Sequence, residues 1–516
     1  MGRYLGLALA SLVATVALFA AAPVSAAGEP IVATRDGAVR GEPIADGKVD
    51  AFLGLPYAAP PVGPLRWRSP QPEAAWRGVR DASRFGPHCL QTHVFDDMVF
   101  SDGAPSEDCL YLNVYRPAHA RPGARLPVMV WIHGGGYMGG AASEPRHWGS
   151  ALPREGVVLV TLNYRLGVFG FLALPELTRE AGGSGAYGLE DMVAALRWVK
   201  DDIAAFGGDP ANVTLFGESA GSFAVSTLMA SPEAKGLFQK AIGESGGAFG
   251  FYAPQPLATQ EKFGTAIVER LGGGALDTLR ALPAEDLLAR YAKAGSPRFT
   301  PAIDGRVLVE SVADAYAAGR QAHIPLLAGW NRDEIPMGLE KPTTASSWQA
   351  AAKTRYGDRA DAFLTLFPGG SDAQAQRSAT DAASDGFIIC QTWDWIEAHR
   401  RTGGAPIWRY QLDLAAPPSR FHPIEAAFHS DDIEYVFGVL DSRPGAHWRE
   451  VDRKLSDEMM RYWTNFARTG DPNGPGLPRW PQFGASGRVQ RLDAITASAP
   501  DDRAAACGFL EGGTGR

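Results

Sequence analysis

The sequence predicts an α/β fold in which a central, mostly parallel sheet is flanked by helices. Apolar runs of strand length recur along the chain, among them 127–132 and 156–163. A helical stripe follows the second run, and another strand-like run, 213–216, follows the stripe. This order of strand, helix and strand is typical of parallel strands that are buried on both faces and joined by right-handed crossovers.

The first residues predict a signal peptide. Residues 1–26 contain one charge, Arg3, then an apolar run rich in Ala and Leu, and end in Val24-Ser25-Ala26, a small-x-small cleavage pattern. An uncleaved anchor is the alternative, but the run is short for a membrane span. No later segment reaches the roughly 18 unbroken apolar residues of a membrane helix. We therefore expect a secreted or periplasmic protein without a stable membrane anchor, in which residues 27–516 form one domain.

Charge and cysteine content exclude several classes of protein. The formal charge of -8 comes from interspersed acids without a basic stripe, so nucleic acid is not expected as a partner. In an oxidising compartment the four cysteines are expected to form disulfides, and spacing alone leaves all three pairings open. Neither Cys-x-x-Cys nor His-Glu-x-x-His occurs, so no metal or other cofactor is expected.

The elements can be predicted in order along the mature chain. An N-terminal meander is expected over 30–49 and ordered coil over 52–72, where Pro and aromatic residues are frequent. The other expected strands are 108–115, 127–132, 156–163, 213–216, 238–242, 325–328 and 406–412.

Helices are predicted from apolar spacings of three and four residues. One stripe is terminated by Gly207, and a second helix ends at Gly470. Helix-rich stretches at 253–322 and 339–403 are predicted to be insertions above the sheet, and the second extends toward 420. The first stripe is Leu189, Met192, Leu196, Val199, Ile203 and Phe206, and the second is Leu455, Met459, Trp463 and Phe466.

One serine lies in the sequence context of a nucleophile. The residues Gly217-Glu218-Ser219-Ala220-Gly221 follow a strand and precede helix-forming residues, which is the context of the nucleophile elbow. Its tight turn requires small neighbours. The pattern recurs around Ser245, at 243–247, but no helix follows that copy. We therefore predict Ser219 as the nucleophile.

A serine nucleophile needs a base and an acid. In this type of fold the acid follows the serine along the sequence, and the histidine follows the acid. Asp333 and Glu334 come just after a predicted strand, and the residues alone do not choose between them. His429 is favoured as the base over His422 because it ends an apolar segment before a helix, with Ser430 as the expected cap. His399 is expected on an exposed helix face.

Backbone donors for an oxyanion are predicted after the apolar strand 127–132. The loop His133-Gly134-Gly135-Gly136-Tyr137 is of the type that supplies them, together with the amide of Ala220. The glycines also match the dinucleotide pattern G-x-G-x-x-G. That alternative is disfavoured because Pro145 follows closely and the next strand ends in Asn163 rather than an acid.

With these residues identified, the chain resembles the type-B carboxylesterases of the cholinesterase and carboxylesterase family, within the α/β-hydrolase superfamily. The resemblance covers nearly the whole mature chain. Its motifs, in order, are FLGLPYAAPPVGPLRW, EDCLYLN, WIHGGGY, NYRLGVFGFL, FGGDPANVTLFGESAG, NRDE, FHSDDIEYVFG and WTNFARTGDPNGPG.

The resemblance implies roles for particular residues of this sequence. Its triad would be Ser219, Glu334 and His429. Gly135, Gly136 and Ala220 would donate to the oxyanion. Ser245 would support the triad acid, and Glu218 would act on the electrostatics of the site. Its disulfides would join Cys89 to Cys109 and Cys390 to Cys507.

The resemblance also implies the activity, which is hydrolysis of small-molecule carboxylic esters through an acyl-enzyme. The segment between Cys89 and Cys109 contains no tryptophan, unlike the corresponding choline-binding segment of cholinesterases, so a choline ester is not expected as the preferred substrate. Phe95 and Phe100 are candidates for a pocket wall or for plain packing. Two alternatives remain: thioester, lactone or amide cleavage on the same triad, and a non-catalytic binding module.

Overall fold

The computed structural model describes residues 2, 29–335 and 337–512. Apart from residue 2, the predicted signal peptide lies outside them. The strands are β1 (Ile31–Ala33), β2 (Ala38–Arg40), β3 (Glu42–Ile44), β4 (Val49–Pro56), β5 (Val79–Asp81), β6 (Tyr111–Pro117), β7 (Leu126–Ile132), β8 (Val158–Leu162), β9 (Gly208–Glu218), β10 (Lys240–Glu244), β11 (Gln255–Pro256), β12 (Ala302–Ile303), β13 (Leu326–Asn331), β14 (Ile407–Leu412), β15 (Arg488–Leu492) and β16 (Ala497–Pro500).

Helices lie between and beyond these strands. They are α1 (Gly167–Phe171), α2 (Pro175–Ala181), α3 (Tyr187–Asp202), α4 (Ala220–Met229), α5 (Leu257–Arg270), α6 (Leu276–Ala281), α7 (Ala284–Lys293), α8 (Val312–Ala317), α9 (Met337–Glu340), α10 (Ala345–Tyr356), α11 (Ala360–Leu366), α12 (Asp372–Ser384), α13 (Cys390–Thr402), α14 (Asp432–Phe437), α15 (Glu450–Thr469), α16 (Phe483–Ser486) and α17 (Ala504–Glu511). A π-helical turn, Asp385–Ile389, joins α12 to α13.

Eleven strands form the central sheet within the described residues, in the order β16-β15-β14-β13-β10-β9-β7-β8-β6-β4-β3. The block from β15 to β8 is parallel throughout. Antiparallel strands complete both edges. The mostly parallel sheet and the N-terminal meander are confirmed. A small separate sheet, β1-β2-β5, lies beside the large one.

The sheet is buried on both faces, which explains the continuous apolar runs in its strands. In β7, Val128, Val130 and Ile132 belong to one core cluster, whereas Met129 and Trp131 belong to a second cluster on the opposite face. The α3 stripe packs into the first cluster and the α15 stripe into the second. Both predicted helices are confirmed. Helix α15 ends before Gly470, which has φ 80°, whereas α3 ends at Asp202 and a 3₁₀ turn, Ile203–Phe206, continues the stripe to Gly207, which has φ 90°.

The ordered coil predicted for 52–72 is wrong over its first residues. Strand β4 runs to Pro56 and pairs with β6, with a register shift between Phe52 and Leu55. Gly54 lies inside this irregularity with φ 66°, a conformation that glycine adopts without strain. Pro and aromatic residues had suggested coil here, but Gly54 lies in a bulge and Pro56 ends the strand.

The helical insertions are confirmed as helical, and two disulfides tie distant segments together. Helices α5–α8 lie within 253–322 and α10–α13 within 339–403, and α9 overlaps the start of the second stretch. Cys89 is bonded to Cys109, and Cys390 at the start of α13 is bonded to Cys507 in α17. No helix among the described residues is long and apolar enough to cross a membrane.

Replacing Cys390 and Cys507 together with Ser should destabilise the fold more than replacing Cys89 and Cys109 together. The bonded cysteines are 117 and 20 residues apart, respectively. In the chain-entropy model, closing the longer loop contributes about 5 kcal/mol and closing the shorter one about 3 kcal/mol. Urea unfolding followed by tryptophan fluorescence would measure both losses. The expectation is wrong if the Cys390/Cys507 pair of substitutions leaves the midpoint at the wild-type value.

Candidate active site

Ser219 lies at a sharp turn between β9 and α4. Its backbone has φ 52° and ψ -119°, a conformation that costs a non-glycine residue about 1–3 kcal/mol and persists only when the surroundings enforce it. One restraint is a hydrogen bond of 2.9 Å from the Ser219 amide to the carbonyl of Glu244 on the neighbouring strand β10. The strand, turn and helix predicted around this serine are therefore all present.

The close packing of α4 against β7 explains why the neighbours of Ser219 are small. A Cβ placed on Gly221 would lie 2.0 Å from the carbonyl oxygen of Ile132. A Cβ on Gly217 would lie 2.7 Å from the same oxygen. No side chain fits at either position, because this oxygen belongs to the backbone of the central sheet.

A chain of hydrogen bonds links Ser219 to a histidine and a carboxylate. Ser219 Oγ lies 2.9 Å from Nε2 of His429, and Nδ1 of His429 lies 2.6 Å from Oε2 of Glu334. An ionised carboxylate can only accept, so Nδ1 carries the hydrogen and Nε2 is left to accept the serine proton. The arrangement can therefore activate a serine nucleophile.

The structure separates the two candidate acids. Oε1 of Glu334 accepts hydrogen bonds from the Asn331 amide at 2.8 Å and from Ser245 Oγ at 2.6 Å, which aims Oε2 at His429. Asp333 instead accepts from Arg377 at 2.6 Å and from the Ala427 amide at 3.1 Å. Asp333 thus anchors the segment before His429 and does not contact the imidazole.

The other histidines occupy different environments. The His422 ring packs against Phe428, with centroids 4.5 Å apart, and lines the cavity without reaching Ser219. The exposed position expected for His399 is wrong: this residue is fully buried, and its Nε2 lies 3.0 Å from the carbonyl oxygen of Ile324. Burial lowers the pKa of His399 to about 4. Neighbouring arginines had suggested a solvated face, but α13 turns this side toward the core.

Ser430 does not cap a helix as the sequence suggested. Helix α14 begins at Asp432, after Asp431. Ser430 has φ 71°, and its hydroxyl donates a hydrogen bond of 2.7 Å to Oε1 of Glu218. Ser430 therefore connects the histidine segment to the carboxylate beside the nucleophile.

The predicted oxyanion loop lies directly against Ser219. A Cβ on Gly134 would be 3.1 Å from Cβ of Ser219 and 2.5 Å from Oε2 of Glu218. Gly135 and Gly136 have φ values of 102° and 62°. Among residues 29–335 and 337–512, no acceptor binds the amides of Gly135, Gly136 or Ala220. Three free donors near the nucleophile are what a developing oxyanion requires.

Gln91 holds this loop in place, a role that the sequence did not indicate. Its Oε1 accepts from the Gly140 amide at 2.8 Å, and its Nε2 donates to the carbonyls of Gly140 and Cys89, both at 3.0 Å. The side chain thus joins the Cys89–Cys109 segment to the end of the oxyanion loop. A single glutamine near a cysteine carries no pattern, so only the fold reveals this contact.

Charges around the imidazole are strongly coupled. Oε1 of Glu218 lies 3.3 Å from Nε2 of His429. Burial raises the pKa of Glu218 to about 8, although His429 and the Ser430 hydroxyl oppose the shift. Burial also acts to lower the pKa of His429, but Glu218 and Glu334 outweigh it and the net shift is upward. A proton gained by one of these groups changes the pKa of the other.

A cavity of about 310 Å³ opens above Ser219. Phe95 lines it, whereas Phe100 stacks on His88 with ring centroids 4.4 Å apart, so only the first of the two candidate phenylalanines forms a wall. No group of three or more potential metal ligands occurs among the described residues. The apolar lining consists of Phe95, Met98, Phe223, Tyr252, Phe387 and Ile433, and the polar lining includes Asp97, Arg146, Arg298 and His422.

Comparison with known proteins places this geometry in context. A model of the carboxylesterase family matches residues 28–506. A fumonisin B1 esterase from Sphingopyxis macrogoltabida is 38% identical over 488 residues, covering 90% of this chain and 86% of the relative. A para-nitrobenzyl esterase from Bacillus subtilis is 37% identical over 470 residues, covering 88% and 92%. The solved structure of a thermophilic PNB esterase superposes with TM-score 0.79 at 35% identity, covering 93% of this chain and 100% of that one.

Replacing Glu218 with Gln should lower the pKa of His429. The substitution removes a carboxylate 3.3 Å from Nε2 and keeps Glu334, so the charged imidazole loses one of its two stabilising partners. A carboxylate that stabilises the protonated imidazole raises the pKa of His429. Removing that carboxylate should therefore move the titration midpoint of His429 to lower pH. NMR titration of labelled histidine would measure it.

The matched control for this titration is Glu397→Gln. The Glu397 carboxylate pairs with Arg400 at 2.7 Å, away from the site, so its loss should leave the His429 midpoint unchanged. An unchanged or higher midpoint in Glu218→Gln would contradict the electrostatic account.

Proposed function

This chain belongs to the carboxylesterase family and is a carboxylic ester hydrolase, and we propose that it acts as an exported serine esterase through a Ser219-His429-Glu334 triad and an acyl-enzyme. The observation that carries the proposal is the hydrogen-bonded series from Ser219 through His429 to Glu334, at 2.9 and 2.6 Å. This connectivity provides a nucleophile, a base and a group that orients the base.

The first half of the reaction transfers the acyl group to the enzyme. His429 Nε2 takes the proton as Ser219 Oγ attacks the ester carbonyl carbon, and the carbonyl oxygen becomes an oxyanion. The amides of Gly135, Gly136 and Ala220 bind this oxyanion, and loss of one such donor typically costs about 2.7–4 kcal/mol of barrier. The tetrahedral intermediate then collapses, and His429 gives its proton to the departing alcohol.

The second half releases the acid. Water enters above the acyl-enzyme, His429 removes its proton, and the oxygen of water bonds to the acyl carbon to give a second tetrahedral intermediate. The bond to Ser219 Oγ then breaks, and His429 returns the proton to Oγ. Glu334 keeps its charge and orients the imidazole in both halves. When Glu218 is ionised, its carboxylate adds negative potential on the other side of the ring, which supports the imidazolium form that arises in each step.

Ser245 supports the acid and is not a second nucleophile. Its side chain is fully buried, and its Oγ donates the 2.6 Å hydrogen bond to Glu334. Its φ of 51° resembles that of Ser219, but no helix follows it. Because this hydroxyl is buried and already donates a hydrogen bond to a carboxylate, it cannot reach an ester.

The predominantly apolar cavity suits small-molecule esters with an apolar portion. No tryptophan lines it among the described residues, so it offers no indole face to a choline cation. The signal peptide predicted for 1–26 supports export, and the two disulfides are compatible with it. We further infer that residues 27–516 form one domain carrying this site.

Replacing Ser219 with Ala should lower kcat on a simple neutral ester by about 10³-fold or more, because no other group in the site supplies the nucleophile. The variant should still fold, since alanine is smaller and the turn is held by backbone contacts. Titration of the acid released from the ester would measure kcat, and circular dichroism would measure folding. Near-wild-type turnover by the folded variant would refute the assignment.

Ser245→Ala tests the supporting role in the same assay. Loss of one hydrogen bond to a charged group costs about 1.5–3 kcal/mol, so kcat should fall about tenfold or somewhat more while activity persists. A loss as complete as that of Ser219→Ala would contradict the distinction between the two serines.

A further inference from the structure

Arg298 lies at the rim of the cavity above Ser219. It belongs to the connection between α7 and β12, within the first helical insertion. Its guanidinium carbon is 3.6 Å from the point where a Cβ on Gly136 would lie, and two of its nitrogens are within 3.8 Å of that point. The cation therefore adjoins the loop that we propose binds the ester carbonyl oxygen.

The guanidinium has spare hydrogen-bonding capacity. One nitrogen, Nη1, donates to the Tyr252 hydroxyl at 2.5 Å, and the group lies 5.4 Å from the centre of the Tyr252 ring. Across residues 29–335 and 337–512, no carboxylate lies within 4.0 Å of Arg298. Since a guanidinium carries five N–H donors, most of them are free for a ligand.

The other ionic groups of the cavity wall are compensated by neighbours. Arg146 pairs with Glu144 at 2.8 Å and with Asp97 at 3.2 Å. His429 has Glu334 at 2.6 Å and Glu218 at 3.3 Å. His422 interacts electrostatically with Asp97. Arg298 is thus the uncompensated cation at this end of the cavity, among the described residues.

Aromatic packing holds the cation at the rim. The Tyr252 ring stacks on Phe223 of α4 with centroids 5.0 Å apart and planes 21° apart. Phe387 meets the same ring edge-on, with centroids 6.3 Å apart. Because Phe223 lies on the helix that follows Ser219, the position of Arg298 is coupled to that of the nucleophile. A ligand group bound there would have a defined distance from the reacting carbonyl.

We propose that Arg298 selects esters whose acyl part carries a second, ionised carboxylate a short distance from the ester carbonyl, such as monoesters of short dicarboxylic acids. The inference rests on the proposed function. A carboxylate matches the planar fork of a guanidinium and can accept two parallel hydrogen bonds from it. Hydrolysis then consumes one water, breaks the bond between acyl carbon and alkoxy oxygen, and yields the dicarboxylic acid and the free alcohol.

The test compares two esters that differ in one charge. Monoethyl succinate carries a carboxylate, and ethyl succinamate carries a neutral amide of nearly the same shape. Both release ethanol, which can be measured for each variant at neutral pH and low salt. Arg298→Gln should lower kcat/KM for monoethyl succinate about tenfold or more, and change that for ethyl succinamate by no more than about twofold. Arg298→Lys should lose part of the preference, because it keeps the charge and loses the fork.

Arg270→Gln is the matched control, because Arg270 belongs to the same insertion and bonds a backbone carbonyl away from the cavity. It should leave both esters unaffected. Equal losses on both esters in Arg298→Gln would overturn the proposal, since the residue would then act on the reaction centre or the fold. An unchanged kcat/KM for monoethyl succinate in Arg298→Gln would overturn the proposal as well. In either case, the proposed function still holds if the wild-type protein hydrolyses ethyl succinamate and Ser219→Ala does not.

Discussion

The contact between α4 and β7 is the constraint on which the site depends. At Gly221 the helix approaches the Ile132 carbonyl so closely that a Cβ would lie 2.0 Å from it. This approach forces the chain through the strained turn at Ser219, raises the serine above the sheet and leaves the Ala220 amide free. Because the loop 133–137 continues directly from Ile132, the same contact brings its glycines beside Ser219. The proposed nucleophile and the proposed oxyanion donors are therefore positioned by one piece of backbone packing.

Buried carboxylates surround the imidazole, and each has its own donors. Glu334 is held by Asn331 and Ser245, and Glu218 by Ser430. Deeper in the protein, Asp432 accepts from the Tyr410 hydroxyl at 2.7 Å, and Glu244 accepts from the Trp463 indole at 2.7 Å. Burial raises the pKa of both deeper groups, that of Asp432 to about 6. Specific hydrogen bonds thus decide which carboxylate faces His429, and the surrounding low-polarity interior strengthens every charge interaction at the ring.

The walls of the cavity come from segments far apart in the chain, and they differ in kind from the sheet. Phe95 and Met98 belong to the disulfide-closed segment, Arg298 to the first insertion and Phe387 to the π-helical turn of the second. These segments lie outside the contact between α4 and β7. We propose that the sheet positions the chemistry and that the connections select the ester.

The sequence by itself determined the fold class and most of the elements and identified Ser219 as the candidate nucleophile, because buried strands, helical stripes and the tight elbow each demand local residue patterns. The strand Val49–Pro56 escaped prediction, since its glycine and proline resemble coil unless the partner strand is known. The residues alone left Asp333 and Glu334 equivalent, and the resemblance to a family was needed to favour one. The side-chain hydrogen bonds of Asn331, Ser245 and Arg377 then show how the two acids differ. Gln91, Arg298 and the burial of His399 depend on contacts between distant segments, and no local pattern encodes such contacts. Only the tertiary structure decided them.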